Sequence, residues 1–138
     1  PEPEIRRYER LAQNLFICPP HASQIAALAA MDATEELEAN RAVYAANRRT
    51  VMEALPRMGL PAFAPPDGAF YAYVDVGAVT DDSLALARRI LDEAGVAVTP
   101  GLDFDPARGG RMLRLSYAQS QAEIAEGLER LAGVFARG

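Results

Sequence analysis

The chain has 138 residues, half of them hydrophobic and 24% charged, which is enough for one domain with its own core and argues against wholesale disorder. A formal charge of −5 disfavours nucleic acid as the main partner, because that binding needs clustered cations. Cys18 is the only cysteine and no apolar run is long enough to span a bilayer, so we expect a cytoplasmic protein without disulfides or membrane segments.

The N-terminal 31 residues predict two helices and a connecting loop. Apolar residues recur at helical spacing from Ile5 to Leu15, until the Pro19-Pro20 pair interrupts them. An alanine-rich stretch over residues 23–31 then predicts a short second helix.

A long third helix is predicted next. Asp32 followed by Glu35 resembles a capping box, and Gly59 is placed to end the helix. The helix is indicated by apolar residues at seven-residue spacing, namely Leu37, Tyr44, Val51 and Met58.

An extended, proline-rich connection over residues 61–68 leads to a turn at Asp67-Gly68 and into a first strand. A strand over residues 70–76 places alternating side chains on opposite faces. One face is predicted to carry Phe70, Ala72, Val74 and Val76, and the other Tyr71, Tyr73 and Asp75.

A helix, two strands and a last helix complete the pattern. Thr80, Asp81 and Asp82 are the candidates to cap the first of these helices, whose apolar stripe is predicted to be Leu84, Ala87, Leu91 and Ala94. Strands follow at residues 96–99 and 112–117, and Ser120 with Glu123 forms a capping box for the last helix. The order predicts an α+β fold, a two-layer sandwich whose small sheet carries helices on one face. The first two strands could form a crossover unit, and the direction of the third stays open.

Arg114 is the most informative residue, because it lies in a strand of apolar or small neighbours and shares a face with Met112 and Ser116. A guanidinium stays charged and is costly to bury without an anion. Two partners are open: Asp75 on a neighbouring strand, or a ligand carboxylate, which matches the guanidinium bidentately. Spacing alone favours the internal pair.

Other candidates carry less chemistry. His21 follows two prolines and is better explained as a loop or capping residue than as an acid or base. Cys18 lacks a second cysteine and a visible activating arrangement, so a buried, inert thiol is the favoured interpretation. Asp103 and Asp105 lack the further ligands of a calcium loop, and we interpret them as solvated carboxylates.

All fourteen basic residues are arginine. Lysine chemistry, including a Schiff base with a cofactor, is therefore excluded within this chain. Tyr71 and Tyr73 are predicted to pack or hydrogen-bond rather than to stack on a cofactor. The chain opens on Pro1 without a methionine, which indicates processing or a longer polypeptide.

Four stretches occur in the order found in class I and II aminotransferases. Residues 14–20, NLFICPP, followed by Ser23-Gln24, resemble the loop after the family's first C-terminal helix. Residues 67–71, DGAFY, resemble its G-x-F-[YF] motif, and residues 95–101, GVAVTPG, resemble its G-V-x-V-x-P-G motif. Residues 114–118, RLSYA, resemble its R-[ILV]-S-[FY]-A motif. In series these motifs cover essentially the whole chain.

The resemblance implies the C-terminal portion of a fold type I, pyridoxal-phosphate-dependent aminotransferase of the aspartate aminotransferase superfamily. Residues 1–31 would link from a missing large domain, and residues 32–138 would form the C-terminal small domain. Arg114 would bind the substrate α-carboxylate, with Phe70 near the substrate. These enzymes are typically homodimers, and three residues of this chain would lie near the active site of the partner subunit: Phe16, Ile17 and Cys18.

The activity implied is a ping-pong transfer of an amino group between an amino acid and a 2-keto acid. The cofactor, pyridoxal 5'-phosphate, would be held by residues upstream, so this chain carries no catalytic, cofactor-binding or metal-binding residue and is expected to be inactive alone. Two alternatives stay open: a related lyase or decarboxylase on the same fold, and a non-catalytic carboxylate-binding or dimerisation domain. Substrate side-chain specificity is not visible in these residues.

Overall fold

Five α-helices and a three-stranded sheet make up the described part of the chain, residues 2–136 of a computed structural model. Contacts divide the chain into two units, Pro1–Ala39 and Asn40–Gly138, with the boundary inside the third helix. The helices are α1 (Glu2–Leu15), α2 (His21–Ala30), α3 (Thr34–Arg57), α4 (Ser83–Ala94) and α5 (Gln121–Phe135). The strands are β1 (Tyr71–Asp75), β2 (Thr99–Pro100) and β3 (Met112–Ser116).

The first unit contains α1 and α2, neither of which has a buried residue. At the end of α1, the amides of Phe16 and Ile17 both donate to the Ala12 carbonyl, at 3.1 and 2.8 Å. Ile17 has a φ of 61°, a left-handed conformation that crowds the Cβ of a β-branched residue. The loop after α1 therefore contains a strained backbone position. No helix in residues 2–136 is long and apolar enough to cross a membrane.

Helix α3 begins two residues after Asp32. The Leu37 amide donates to the Ala33 carbonyl at 3.1 Å, so Ala33 occupies the N-cap position and the capping box predicted at Asp32 is wrong. The chain leaves the helix through Gly59, whose φ of 78° is the left-handed conformation expected of a glycine after a helix. The buried residues of α3 are Asn47, Val51 and Leu55.

The sheet has the order β1-β3-β2, and β3 pairs antiparallel with both neighbours. The predicted crossover unit is therefore split: β1 and β2 run the same way, but β3 lies between them. The strand predicted at residues 96–99 is observed only at Thr99–Pro100. Before it, Val96 and Val98 pack as irregular chain against the core.

Burial alternates along the strands as predicted. Ala72 and Val74 of β1 and Leu113 and Leu115 of β3 are buried and pack in one cluster with residues from α3, α4 and α5. In α4 the buried side is set by Leu86, Ala87 and Ile90, whereas the predicted Leu84 and Leu91 are 40% and 51% exposed. The α+β class, a small sheet with helices on one face, is confirmed.

Capping agrees with the sequence at α4 and α5. The Asp82 carboxylate accepts from the Ala85 amide at 3.0 Å, and Gly95 ends α4 with a φ of 64°. Ser120 and Glu123 form the predicted capping box. These interactions define both ends of α4 and the start of α5.

Candidate substrate-binding site

Arg114 lies at the centre of β3, directly opposite Tyr73 of β1 and Thr99 of β2. Residues opposite one another in antiparallel strands share a face of the sheet. Leu113 and Leu115 are buried on the other side, so Arg114 belongs to the face away from the helices. We call this face, defined by Tyr71, Tyr73, Thr99, Met112 and Arg114, the open face.

The internal ion pair favoured by spacing is absent. Asp75 pairs in register with Met112 rather than with Arg114, and its exposed carboxylate accepts from the Gly77 amide at 2.7 Å. Within residues 2–136, Arg114 forms no ion pair with any carboxylate, and its Nε is buried without a hydrogen-bond acceptor. A half-buried cation is thus left with donors to spare, which is costly unless an anion binds there.

Two aromatic rings contact the Arg114 guanidinium. Its Cζ lies 4.8 Å from the centroid of Tyr71 and 4.9 Å from that of Phe104, within the range of cation–π attraction. The alternation of the first strand predicts Tyr71 on this face. Nothing in the residue spacing predicts Phe104, because it lies ten positions before Arg114 in a loop that folds back onto the sheet.

The loop that carries Phe104 is closed at its base. A Cβ at Gly101 would lie 2.7 Å from the Tyr73 hydroxyl oxygen and 2.8 Å from the Gly109 carbonyl oxygen, so only glycine allows this approach. The buried Ser83 hydroxyl donates to the same Gly109 carbonyl at 2.7 Å. The two ends of the loop are therefore held together and tied to the start of α4.

Asp105 organises the inside of this loop, so its interpretation as a merely solvated carboxylate is wrong. Its side chain accepts from the amides of Ala107 and Arg108 at 3.0 Å each and from Arg108 Nε at 3.0 Å. The hydrogen bonds from Arg108, first from its backbone and then from its side chain, and the one from Ala107 lower the pKa of this carboxyl group. Asp103 is exposed, as expected.

Tyr73 adds a second polar group without a partner to the open face. Its hydroxyl is buried and makes no hydrogen bond. Burial raises the pKa of this phenol, and the negative charge of Asp105 raises it further against an opposing effect of Arg108. The neutral phenol is thus the favoured form beside Arg114.

Phe70 does not share the buried face of Ala72 and Val74, although the alternation of the strand predicts that it does. It precedes β1, is 43% exposed, and its ring meets Tyr71 edge-on with centroids 5.8 Å apart. The residue before it, Ala69, has a φ of 60°, which turns the chain away from the alternation of the strand. Phe70 therefore contacts Tyr71, whose ring in turn contacts Arg114. Its role near a substrate stays a prediction.

The remaining candidates lie in the first unit. Phe16 and Ile17 are 68% and 79% exposed, and Cys18 is exposed, so the expected buried thiol is wrong. His21 is the exposed first residue of α2. No group of three or more histidine, cysteine or acidic residues within 2–136 could hold a metal ion.

The open face fits a carboxylate and does not fit a covalently held aldehyde cofactor. Arg114 supplies a planar set of donors, whereas the chain contains no lysine whose amine could form a Schiff base. No cofactor site is therefore assigned to these residues.

The family model for aminotransferases of class I and II matches residues 2–131. Valine–pyruvate aminotransferase of Mycobacterium tuberculosis is 47% identical over 128 residues, covering 91% of this chain and 33% of the relative. (5-Formylfuran-3-yl)methyl phosphate transaminase of Methanocaldococcus jannaschii is 38% identical over 124 residues, covering 88% of this chain and 32% of the relative. The chain spans about a third of the length of these relatives.

Solved structures agree with the sequence matches. A crystal structure of an aminotransferase from Mycobacterium tuberculosis superposes with a TM-score of 0.86 at 45% identity, covering 93% of this chain and 34% of the other. A protein from Silicibacter pomeroyi superposes with a TM-score of 0.89 at 59% identity, covering all of this chain and 37% of the other. The chain belongs to the class I and II aminotransferase family, and its extent is consistent with the C-terminal portion of such an enzyme.

Proposed function

We propose that this chain is the C-terminal part of a pyridoxal-phosphate-dependent aminotransferase, in which Arg114 binds the α-carboxylate of the amino acid and 2-keto acid substrates. The observation that carries the proposal is a half-buried arginine on the open face that has no ion pair within residues 2–136 and whose Nε has no hydrogen-bond partner there. Family membership supports amino-group transfer over the lyase, decarboxylase and non-catalytic alternatives, because the relatives described above are named as aminotransferases.

When bound, the cofactor supplies the electron sink for amino-group transfer. The contribution proposed for this chain is orientation. Arg114 holds the carboxylate in the plane of its guanidinium by two parallel hydrogen bonds, which restricts rotation of the substrate about its α-carbon. Tyr71 and Phe104 cover the guanidinium and exclude water that would compete for its donors. Arg114 takes no part in proton transfer, because a guanidinium does not give up its charge in proteins.

The proposal is tested by Arg114→Gln in the full-length polypeptide, with a pair of substrates that differ only in the carboxylate. Transfer from an amino acid should fall by a factor that corresponds to about 2–5 kcal/mol in kcat/KM. Transfer from the matching amine, which lacks the carboxylate, should change little. Equal losses on both substrates, or none on either, would contradict the assignment.

Arg130→Gln is the matched control. Arg130 is an exposed arginine on α5 that pairs with Glu126 one helical turn away, so its loss removes a charge of the same kind outside the open face. Surface pairs of this type contribute little, and the kinetics of this variant should stay close to those of the unmodified enzyme.

We also propose a cytoplasmic homodimer in which Phe16, Ile17 and Cys18 lie near the partner's site. Sedimentation of the full-length protein tests the dimer. Cys18 is the single cysteine of these 138 residues and is exposed. With any cysteines elsewhere in the full-length polypeptide replaced by serine, it can carry a spin label whose distance to a labelled substrate analogue can be measured. A monomer, or a label far from both sites, would contradict this part of the proposal.

A further inference from the structure

Phe104 is a large apolar side chain that is 51% exposed on a loop, and it contacts a cation rather than the core. The loop is ordered by its own hydrogen bonds. The amides of Phe104 and Asp105 both donate to the Gly101 carbonyl, at 2.9 and 3.0 Å, and the Gly109 amide donates to the Asp105 carbonyl at 2.7 Å. With the Asp105 side chain engaged as well, the backbone at Phe104 is held in place by hydrogen bonds within the loop.

The Arg114 side chain, by contrast, has few restraints of its own. Its Nε makes no hydrogen bond, and no carboxylate in residues 2–136 pairs with it. A long side chain without hydrogen-bond or ion-pair partners samples several rotamers unless other contacts restrain it, and ordering it on binding has an entropic cost. The contacts that restrain the guanidinium are the rings of Tyr71, in the sheet, and Phe104, in the loop.

We propose that Phe104 is a positioning residue for Arg114: it holds the guanidinium against the open face so that its N–H edge is presented to a carboxylate before the carboxylate arrives. The inference rests on the proposed function of Arg114 and assigns a further residue, on a different element, to the same site. Phe104 acts through Arg114. The loop closed by Gly101 and Gly109 places Phe104 against the guanidinium.

The first experiment examines the geometry without any activity. In the 138-residue chain, the ring currents of Tyr71 and Phe104 should shift the Arg114 Nε–Hε NMR signal upfield of that of Arg130. Phe104→Leu keeps an apolar side chain but has no ring, so the Arg114 signal should move downfield, and Phe104→Tyr should restore it. An Arg114 signal that is unchanged in Phe104→Leu would overturn the proposal.

The second experiment measures the consequence in the full-length enzyme. Phe104→Leu should raise KM for the amino acid by about 2- to 30-fold, the range expected for one cation–π contact, with kcat nearly unchanged. Phe104→Tyr should restore KM. In an Arg114→Gln background, Phe104→Leu should have no further effect, because the residue it positions is gone.

Leu102→Ala is the control within the same loop. Leu102 is an apolar residue that is 47% exposed, and its loss should leave KM unchanged. If Arg114→Gln impairs the enzyme while Phe104→Leu does not, the positioning role is overturned and the carboxylate clamp stands. If Arg114→Gln itself has no effect, the proposed function fails and this inference fails with it.

Discussion

The two faces of the sheet are built from alternate residues of the same strands and have opposite properties. On the helix-covered face, Leu113 and Leu115 are buried in a continuous apolar cluster. On the open face, Arg114 lies between them in sequence, and its buried Nε has no hydrogen-bond partner among the described residues. The comparison shows how a strand of five residues can anchor a domain with one set of side chains and present a charge with the other, because successive side chains point to opposite sides.

The largest expected effect on the free energy of unfolding distinguishes the core residue Leu113 from its neighbour Arg114. Leu113 is 1% exposed, and Leu113→Ala should lower the free energy of unfolding by about 2–5 kcal/mol through lost burial and a cavity. Urea unfolding of the 138-residue chain measures it, with Leu84→Ala at a 40% exposed position as the control. Arg114→Gln should leave stability nearly unchanged. If Arg114→Gln unfolded the domain as strongly as Leu113→Ala, the division between the two faces would be wrong.

A smaller effect is expected at a polar residue buried on the helix-covered side. Asn47 of α3 is 1% exposed, and its Nδ2 donates to the carbonyls of Tyr117 and Gln119 at 3.0 and 2.7 Å. Asn47→Ala leaves both carbonyls without this donor and should cost about 1–3 kcal/mol. Asn14→Ala is the matched control, because the Asn14 amide also donates to a carbonyl but on the exposed side of α1. Equal thermal stability of the two variants would contradict the prediction.

The smallest effect concerns two tyrosines, one on each face. Burial raises the pKa of Tyr73 and of Tyr117, and Asp105 raises that of Tyr73 further, whereas the charge of Arg48 partly opposes the shift of Tyr117. A folded-state pKa above the unfolded value means that the stabilisation is complete below about pH 10 and is lost as the pH rises through the folded pKa.

Absorbance titration of tyrosinate checks this, with Tyr73→Phe and Tyr117→Phe to assign the late-titrating groups. Asp105→Asn should lower the pKa of Tyr73 on the open face and leave that of Tyr117 on the helix-covered face in place. If Asp105→Asn changed the pKa values of Tyr73 and Tyr117 equally, the prediction that Asp105 acts on Tyr73 alone would be wrong.

Much of the fold follows from local rules. Asp82, Gly95 and the pair Ser120 and Glu123 bound helices where their types predict, because caps depend on residues a few positions apart. Alternation assigned Leu113 and Arg114 to opposite faces for the same reason. Local rules did not predict which side of α4 is buried, because the helix has overlapping apolar stripes and tertiary packing selects among them. The helix buries Leu86 rather than the predicted Leu84.

The candidate site divides in the same way. The motif around Arg114 indicated a carboxylate ligand from sequence, whereas spacing alone favoured Asp75 as its partner. Strand register excluded Asp75, because Asp75 lies opposite Met112 and its carboxylate accepts from the Gly77 amide. The carboxylate ligand stays a proposal. Phe104 has no motif spacing that relates it to Arg114, and its contact depends on a loop closed by two glycines.

By itself, the sequence determined the class of fold, the family and the charge available to a ligand, because periodicity, caps and short motifs are properties of neighbouring residues. The tertiary structure decided that no anion among the described residues, 2–136, pairs with Arg114 and that Tyr71 and Phe104 cover its guanidinium. Tyr71 reaches Arg114 only through the register of two strands, and Phe104 reaches it only through the closure of a loop, so neither contact follows from residue spacing.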